Sequence, residues 1–179
     1  MLDNINTNIY KEASEKFLPE NIKVLFIAES PPTNGSFFFF KFTKQEILLT
    51  TLTTALFGDD KGFTKNDSKV AFLEKFKNEG YFLIDAVEYP INMTTDKNRE
   101  LIIRKEMDNF LERLEELKKM NRVDADTKII LIKKSVYNIL ANVFKEKGFN
   151  ILNNSKVDFP KYYNDRDTIK AIRGFLRVP

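Results

Sequence analysis

Lys23-Val24-Leu25-Phe26-Ile27-Ala28-Glu29-Ser30-Pro31-Pro32 is the stretch whose reading decides the fold. Residues 24–28 form an unbroken apolar run. A run without polar alternation suits a strand covered on both faces, as in a parallel sheet. It stops abruptly at Glu29, and residues 30–36 (SPPTNGS) are loop chemistry. A carboxylate in that position sits at an edge of the sheet and not in the core. The two prolines fix φ and stiffen the turn that carries it.

Working outward, the same pattern recurs. Tyr81-Phe82-Leu83-Ile84-Asp85 reads as a second strand, residues 128–132 as a third and residues 149–152 as a short fourth. Between them lie helical spacings. Ile5, Ile9, Ala13 and Phe17 mark a helix over 3–17, ended by Pro19. Residues 44–57 form another, closed by Gly58. A third, capped by Asp67 or Ser68, runs to about Asn78 and stops at Gly80. Residues 97–120 predict the longest helix, 134–147 one ended by Gly148, and 164–176 the last. Strands separated by helices imply an α/β fold, a three-layer α-β-α sandwich around a four-stranded parallel sheet. Residues 1–179 are expected to form a single domain. In such sheets a ligand sits outside the carboxyl ends of the strands. Loops 29–43, 85–96, 133–135 and 153–163 are therefore expected to converge on one site.

Composition narrows the chemistry. The chain has no cysteine, so disulfide and thiol chemistry are excluded. It has no histidine, which removes a His general base, a Ser-His-Asp triad and a His-ligated zinc site. No metal and no cofactor are expected. No apolar run reaches the roughly 18–20 residues of a membrane span. The polar first residues carry no signal-peptide core, and the expected location is the cytoplasm. Residues 128–179 hold 11 Lys and Arg against 4 Asp and Glu, while residues 1–127 hold 18 against 22. A basic final third either attracts a polyanion or is a solvated lysine-rich surface.

Glu29 and Asp85 follow or end the first two strands at the same height. Either is a site carboxylate, or Glu29 caps a helix or pairs with a cation and Asp85 makes an Asx turn. Phe37 to Phe40, with Phe42, follow Gly35. They fill the core, or one of them stays at the pocket mouth and stacks on a flat ligand. Lys133, Lys134 and Ser135 lie at the start of a helix, where a phosphate can bind. Asp158-Phe159-Pro160-Lys161, with Arg166 and Arg173 beyond it, makes a rigid aromatic loop beside basic residues, a plausible element facing DNA.

Together these segments resemble the uracil-DNA glycosylase superfamily, over residues 22 to 176. KVLFIAESPP is similar to its first motif. In branches with a Gly-Glu-Ala-Pro form, Glu29 and Pro31 fall on Glu and Pro, and Ala28 and Ser30 replace Gly and Ala. GSFFFF stands where the family carries the Phe that stacks on a flipped base, so Phe37 or Phe38 takes that role. YFLIDAVEYP resembles the strand ending in the base-reading Asn, KIILIKKSVYNIL the third strand with its helix, and VDFP the loop that enters the minor groove. Two departures stand out: Asp85 replaces the Asn, and the His of the last motif is missing.

The resemblance implies a DNA glycosylase that extrudes a base and hydrolyses its N-glycosidic bond. Glu29 and Asp85 would be catalytic, with Ser30, Pro31, Phe37, Phe38 and Asp85 binding the base. Lys133, Lys134, Ser135, Lys161 and Arg166 would hold phosphates. The partner would be DNA, with the protein a monomer. An ionised Asp85 only accepts hydrogen bonds, which suits a cytosine-type amino group better than uracil's O4. The competing expectations are a non-catalytic DNA or base binder, and an enzyme acting on modified phage DNA. An unrelated nucleotide-binding protein is disfavoured, since neither G-x-G-x-x-G nor G-x-x-x-x-G-K-[ST] occurs.

Overall fold

The computed structural model describes residues 8–33, 37–40, 46–58, 66–160 and 165–177. Its strands are β1 (Val24–Ala28), β2 (Tyr81–Asp85), β3 (Lys128–Leu131) and β4 (Asn150–Ile151). Its helices are α1 (Asn8–Glu15), α2 (Ile47–Phe57), α3 (Asn66–Asn78), α4 (Asp96–Lys105), α5 (Met107–Lys119), α6 (Lys134–Glu146) and α7 (Arg166–Leu176). The strands form one sheet in the order β2-β1-β3-β4, all parallel. With helices packed around it, this is the α/β sandwich that the strand pattern predicts. All five residues of β1 are buried, as a central strand covered on both sides requires.

Two helix groups enclose the sheet. In one, Arg173 of α7 donates to the main-chain oxygens of Thr54 and Ala55 at the end of α2, and Phe57 of α2 meets Phe72 of α3 edge-on at 5.7 Å. In the other, Phe110 of α5 stacks on Phe144 of α6 at 6.0 Å. Gly58, Gly80 and Gly148 all take positive φ, so the expected glycine stops are real. At Gly80 the need is strict: φ is +80°, and an added Cβ would meet the carbonyl oxygen of Asn21 at 3.1 Å.

Two boundaries differ from the sequence expectation. The predicted helix 97–120 is two helices, broken at Glu106, where the backbone turns to φ −86° and ψ 2°. Neither proline nor glycine marks that break. Both carboxylate oxygens of Glu106 are bonded there, one by the Tyr89 hydroxyl from across a loop and the other by the Asn109 amide one turn on. The fourth strand is only two residues long. Its pairing is continued by a side chain: Asn153, which is buried, accepts from the Leu131 N–H at 3.0 Å and donates to the Leu131 carbonyl at 3.2 Å. A bridge between Ile132 and Val157 then returns the chain to β3. That return brings residues 157–160 back to the carboxyl end of the sheet.

Asn153 therefore acts as an extra rung of the ladder. Asn153→Ala leaves the Leu131 N–H and C=O buried without partners, and is expected to lower stability by about 3 kcal/mol in urea denaturation.

Candidate functional site

The β1–β2 ladder continues past the strand ends, through Ala86 N–H to the Ala28 carbonyl and Val87 N–H to the Glu29 carbonyl. Glu29 is therefore fixed by main-chain bonds at the carboxyl edge of the sheet, with Asp85 in register with Ala28. Glu29 is only 5% exposed. Both of its oxygens are engaged: the Ser135 hydroxyl donates to Oε1 at 2.5 Å, and the Lys133 ammonium makes a close ion pair with Oε2. Lys133 achieves this from an unusual backbone. Its φ is +86°, a region side chains rarely adopt, and its N–H is anchored on the Val157 carbonyl at 2.9 Å. The carboxylate of Glu29 thus lies at the start of α6, where a helix dipole favours negative charge.

A cavity of about 270 Å³ opens above this cluster. Glu29, Ser30, Phe37, Phe38, Asp85, Asn92, Lys133 and Phe159 all contribute to its wall. All four loops expected to meet there are represented among the described residues. A volume near the small end of the ligand-pocket range suits a compact, flat molecule. Asn92 is placed by Arg99, which donates to its carbonyl at 3.2 Å, and by its own amide donating to Thr33 at 3.3 Å.

Asp85 also borders a second cavity of about 350 Å³, formed with α1 and α5. Arg113 of α5 reaches it there, but donates to the main-chain oxygens of Asp85 and Ala86, both at 3.1 Å, and pairs with Glu88 at 3.7 Å. The carboxyl itself stays in low-dielectric surroundings. Burial pushes its pKa from 3.8 up to about 7, against the pull of Arg113 and with a further push from Glu29. Asp85 is therefore a mixture of neutral and ionised forms near pH 7. Neutral, it holds one O–H donor beside one acceptor, so the accept-only argument against uracil applies fully only above that pH.

The other expected site residues are distributed as follows. Phe37 and Phe38 are each 6% exposed, and the aromatic run makes wall and core at once. Phe37 packs edge-on against Tyr10 at 4.9 Å and borders both cavities. Phe38 is held between Phe39 and Phe76, at 5.0 and 5.5 Å. Ser30 accepts from the Ile91 N–H at 3.4 Å, and Pro31 faces the α1 side of the site. Lys134 and Arg166 are exposed. Ser135, one of the expected phosphate contacts, is buried with its hydroxyl on Glu29, and the half-buried Lys133 side chain pairs with the same carboxylate. Lys161 lies outside the described residues. Arg173 is occupied in closing the end of α2.

One pair was missed by sequence reasoning. Glu46, just ahead of α2, reaches the cavity wall and is bonded by Lys69 of α3 at 2.7 Å, with both side chains almost wholly buried. Lys69 also donates to the Phe37 carbonyl at 3.3 Å, tying the phenylalanine loop to the helices. A signal was present: Lys69 shares a helical face with Phe72, Leu73 and Phe76. A lysine in an apolar stripe needs a buried partner. Among the described residues, no group of three or more Asp and Glu side chains is arranged to hold a metal ion, and no helix is long and apolar enough to cross a membrane.

Comparison with protein-family models, curated proteins and solved structures finds no match to this chain.

The raised pKa of Asp85 makes a stability prediction. Its folded-state pKa lies above the unfolded value, so the native state binds more protons between about pH 4 and about pH 7. The native protein should lose stability, relative to an Asp85→Asn variant, as pH rises through that window. The change in the gap across that window should amount to roughly 2–4 kcal/mol and then level off. Paired urea denaturations from acid to mildly alkaline pH measure it.

Proposed function

We propose that this chain is a DNA glycosylase-like protein that takes an extruded uracil-like or modified base into the cavity beside Glu29 and hydrolyses its N-glycosidic bond. The observation that carries the reading is the grouping of Glu29, Lys133 and Asp85 in the wall of one base-sized cavity that Phe37 also lines. The resemblance of KVLFIAESPP, GSFFFF and YFLIDAVEYP to the superfamily's motifs assigns Glu29, Phe37 and Asp85 to the same roles, while the role of Lys133 rests on its place in the cavity wall.

Extruding the nucleotide costs about a few kcal/mol, recovered in part by stacking and edge contacts in the cavity. Phe37 supplies an aromatic wall and Asp85 faces the edge of the base. As the C–N bond lengthens, positive charge grows on the sugar. A preorganised carboxylate at Glu29 offsets that charge or orients the water that adds to the anomeric carbon. The electron pair of the broken bond leaves with the base. Lys133 is the cation in the cavity wall and serves that negative charge in place of the absent histidine. On this reading Lys133 works on the base, and phosphate contacts fall to Lys134, Arg166 and Lys161. The exposed Lys134 and Lys145 of α6 and Arg166 and Lys170 of α7 support contact with a polyanion, and affinity is expected to fall steeply as salt rises.

One observation favours a second reading, a non-catalytic base or DNA binder. Both oxygens of Glu29 already have partners, which is also how a structural carboxylate is held. Strand cleavage in hot alkali separates the two. The substrates are oligonucleotides carrying uracil, deaminated purines or 5-substituted cytosines, together with modified phage DNA. The expected outcome is cleavage of one of them, reduced at least about 100-fold in Glu29→Gln with DNA affinity retained. No cleavage of any substrate, with salt-sensitive DNA binding intact in both proteins, would establish the binder.

A further inference from the structure

Asp85 occupies an unusual position. It ends β2 in the wall common to both cavities, partly open to each. Among the described residues none donates a hydrogen bond to its carboxyl and none forms an ion pair with it. The one guanidinium nearby is committed to main-chain oxygens and to Glu88. The charged and titratable groups that face it come from every neighbouring element. They are Tyr10, Lys11 and Glu15 on α1, Glu29 after β1, Glu46 before α2, Glu88 after β2, Arg113 and Glu116 on α5, and Lys133 before α6. Carboxylates outnumber cations in that set by five to three, and of the cations Lys133 and Arg113 already have acidic partners while Lys11 makes no ion pair with Asp85. Glu29, by contrast, is fully bonded. The two carboxyl groups of the site are therefore set up for opposite protonation states, a pattern that separates their roles.

We infer that Asp85 is the specificity-determining residue of the cavity and reads its ligand as a neutral carboxylic acid, donating to a carbonyl and accepting from the adjacent ring N–H of a uracil-type edge. This rests on the glycosylase reading and deepens it. A neutral carboxyl and an O=C–N–H edge form two complementary hydrogen bonds, as an Asn side chain would. The ionised carboxylate turns one of those bonds into a meeting of lone pairs, an unmatched polar contact that costs free energy once the base covers the half-buried carboxyl. The elevated pKa places this change near pH 7. The sign follows directly: base recognition is present below that pH and lost as Asp85 ionises above it.

The test is binding of a non-cleavable oligonucleotide carrying 2′-fluoro-uridine, against the same oligonucleotide with an abasic analogue. It runs from about pH 5.5 to about pH 8.5, short of the range where uracil's own N3–H ionises. The native protein should prefer the uracil strand below pH 7 and lose at least about tenfold of that preference by the upper limit. Asp85→Asn should hold its preference level across the range. Carbon-13 NMR of labelled aspartate carboxyls supplies a second measurement on the unaltered protein, with one resonance titrating near pH 7. A preference that is flat in the native protein, a decline repeated in Asp85→Asn, or no carboxyl titrating above the ordinary range would each overturn the proposal while leaving the glycosylase reading standing. No preference for base over abasic site in either protein, at any pH, would overturn both.

Discussion

The pairing of Glu29 with Lys133 and Ser135 is the contact on which the rest of the site depends. It ties the end of β1 to the turn between β3 and α6, two segments more than 100 residues apart in sequence. The pair is buried enough that removing either partner would leave a charge in a poorly solvating place. Lys133 adopts a left-handed backbone to complete it, and that backbone is in turn anchored by Val157. Strain of this kind persists only where the surroundings over-determine it. The returning loop that supplies Val157 is itself positioned by Asn153, which imitates a strand residue beside Leu131. A short fourth strand, a side-chain rung and a strained lysine thus act in series to place one carboxylate.

A second buried ion pair, Lys69 with Glu46, performs the corresponding task on the other side of the cavity. It holds the phenylalanine loop by a bond to the Phe37 carbonyl. The aromatic run then serves two purposes. Phe38 and Phe39 join the cluster around Phe76 and Phe82, while Phe37 divides the two cavities. Among the described residues 37–40 the run packs into the core and lines the cavity at once, and Phe42 lies outside the described residues.

Asp85 shows how far residue identity and residue chemistry can separate. Its place at the end of an apolar strand marks it as costly to ionise, and this much is legible from Tyr81-Phe82-Leu83-Ile84-Asp85 alone. Its protonation is not, because that depends on where Arg113 directs its donors. Had the guanidinium met the carboxylate, Asp85 would be an acceptor throughout the physiological range. It meets the main-chain oxygens instead.

The sequence by itself determined the layered fold, because apolar runs bounded by glycine and proline stops are local signals with a local cause. It also determined which end of the sheet carries the polar residues, since Glu29 and Asp85 each terminate such a run. It excluded histidine and thiol chemistry outright. The tertiary structure alone decided who partners whom. Ser135 bonds Glu29, Arg173 closes α2, Lys69 pairs with Glu46, and the helix over 97–120 breaks at Glu106, whose carboxylate takes the Tyr89 hydroxyl. These are choices among partners distant in sequence. They are set by which side chains the closed sheet brings within a few ångströms, and no periodicity records that distance.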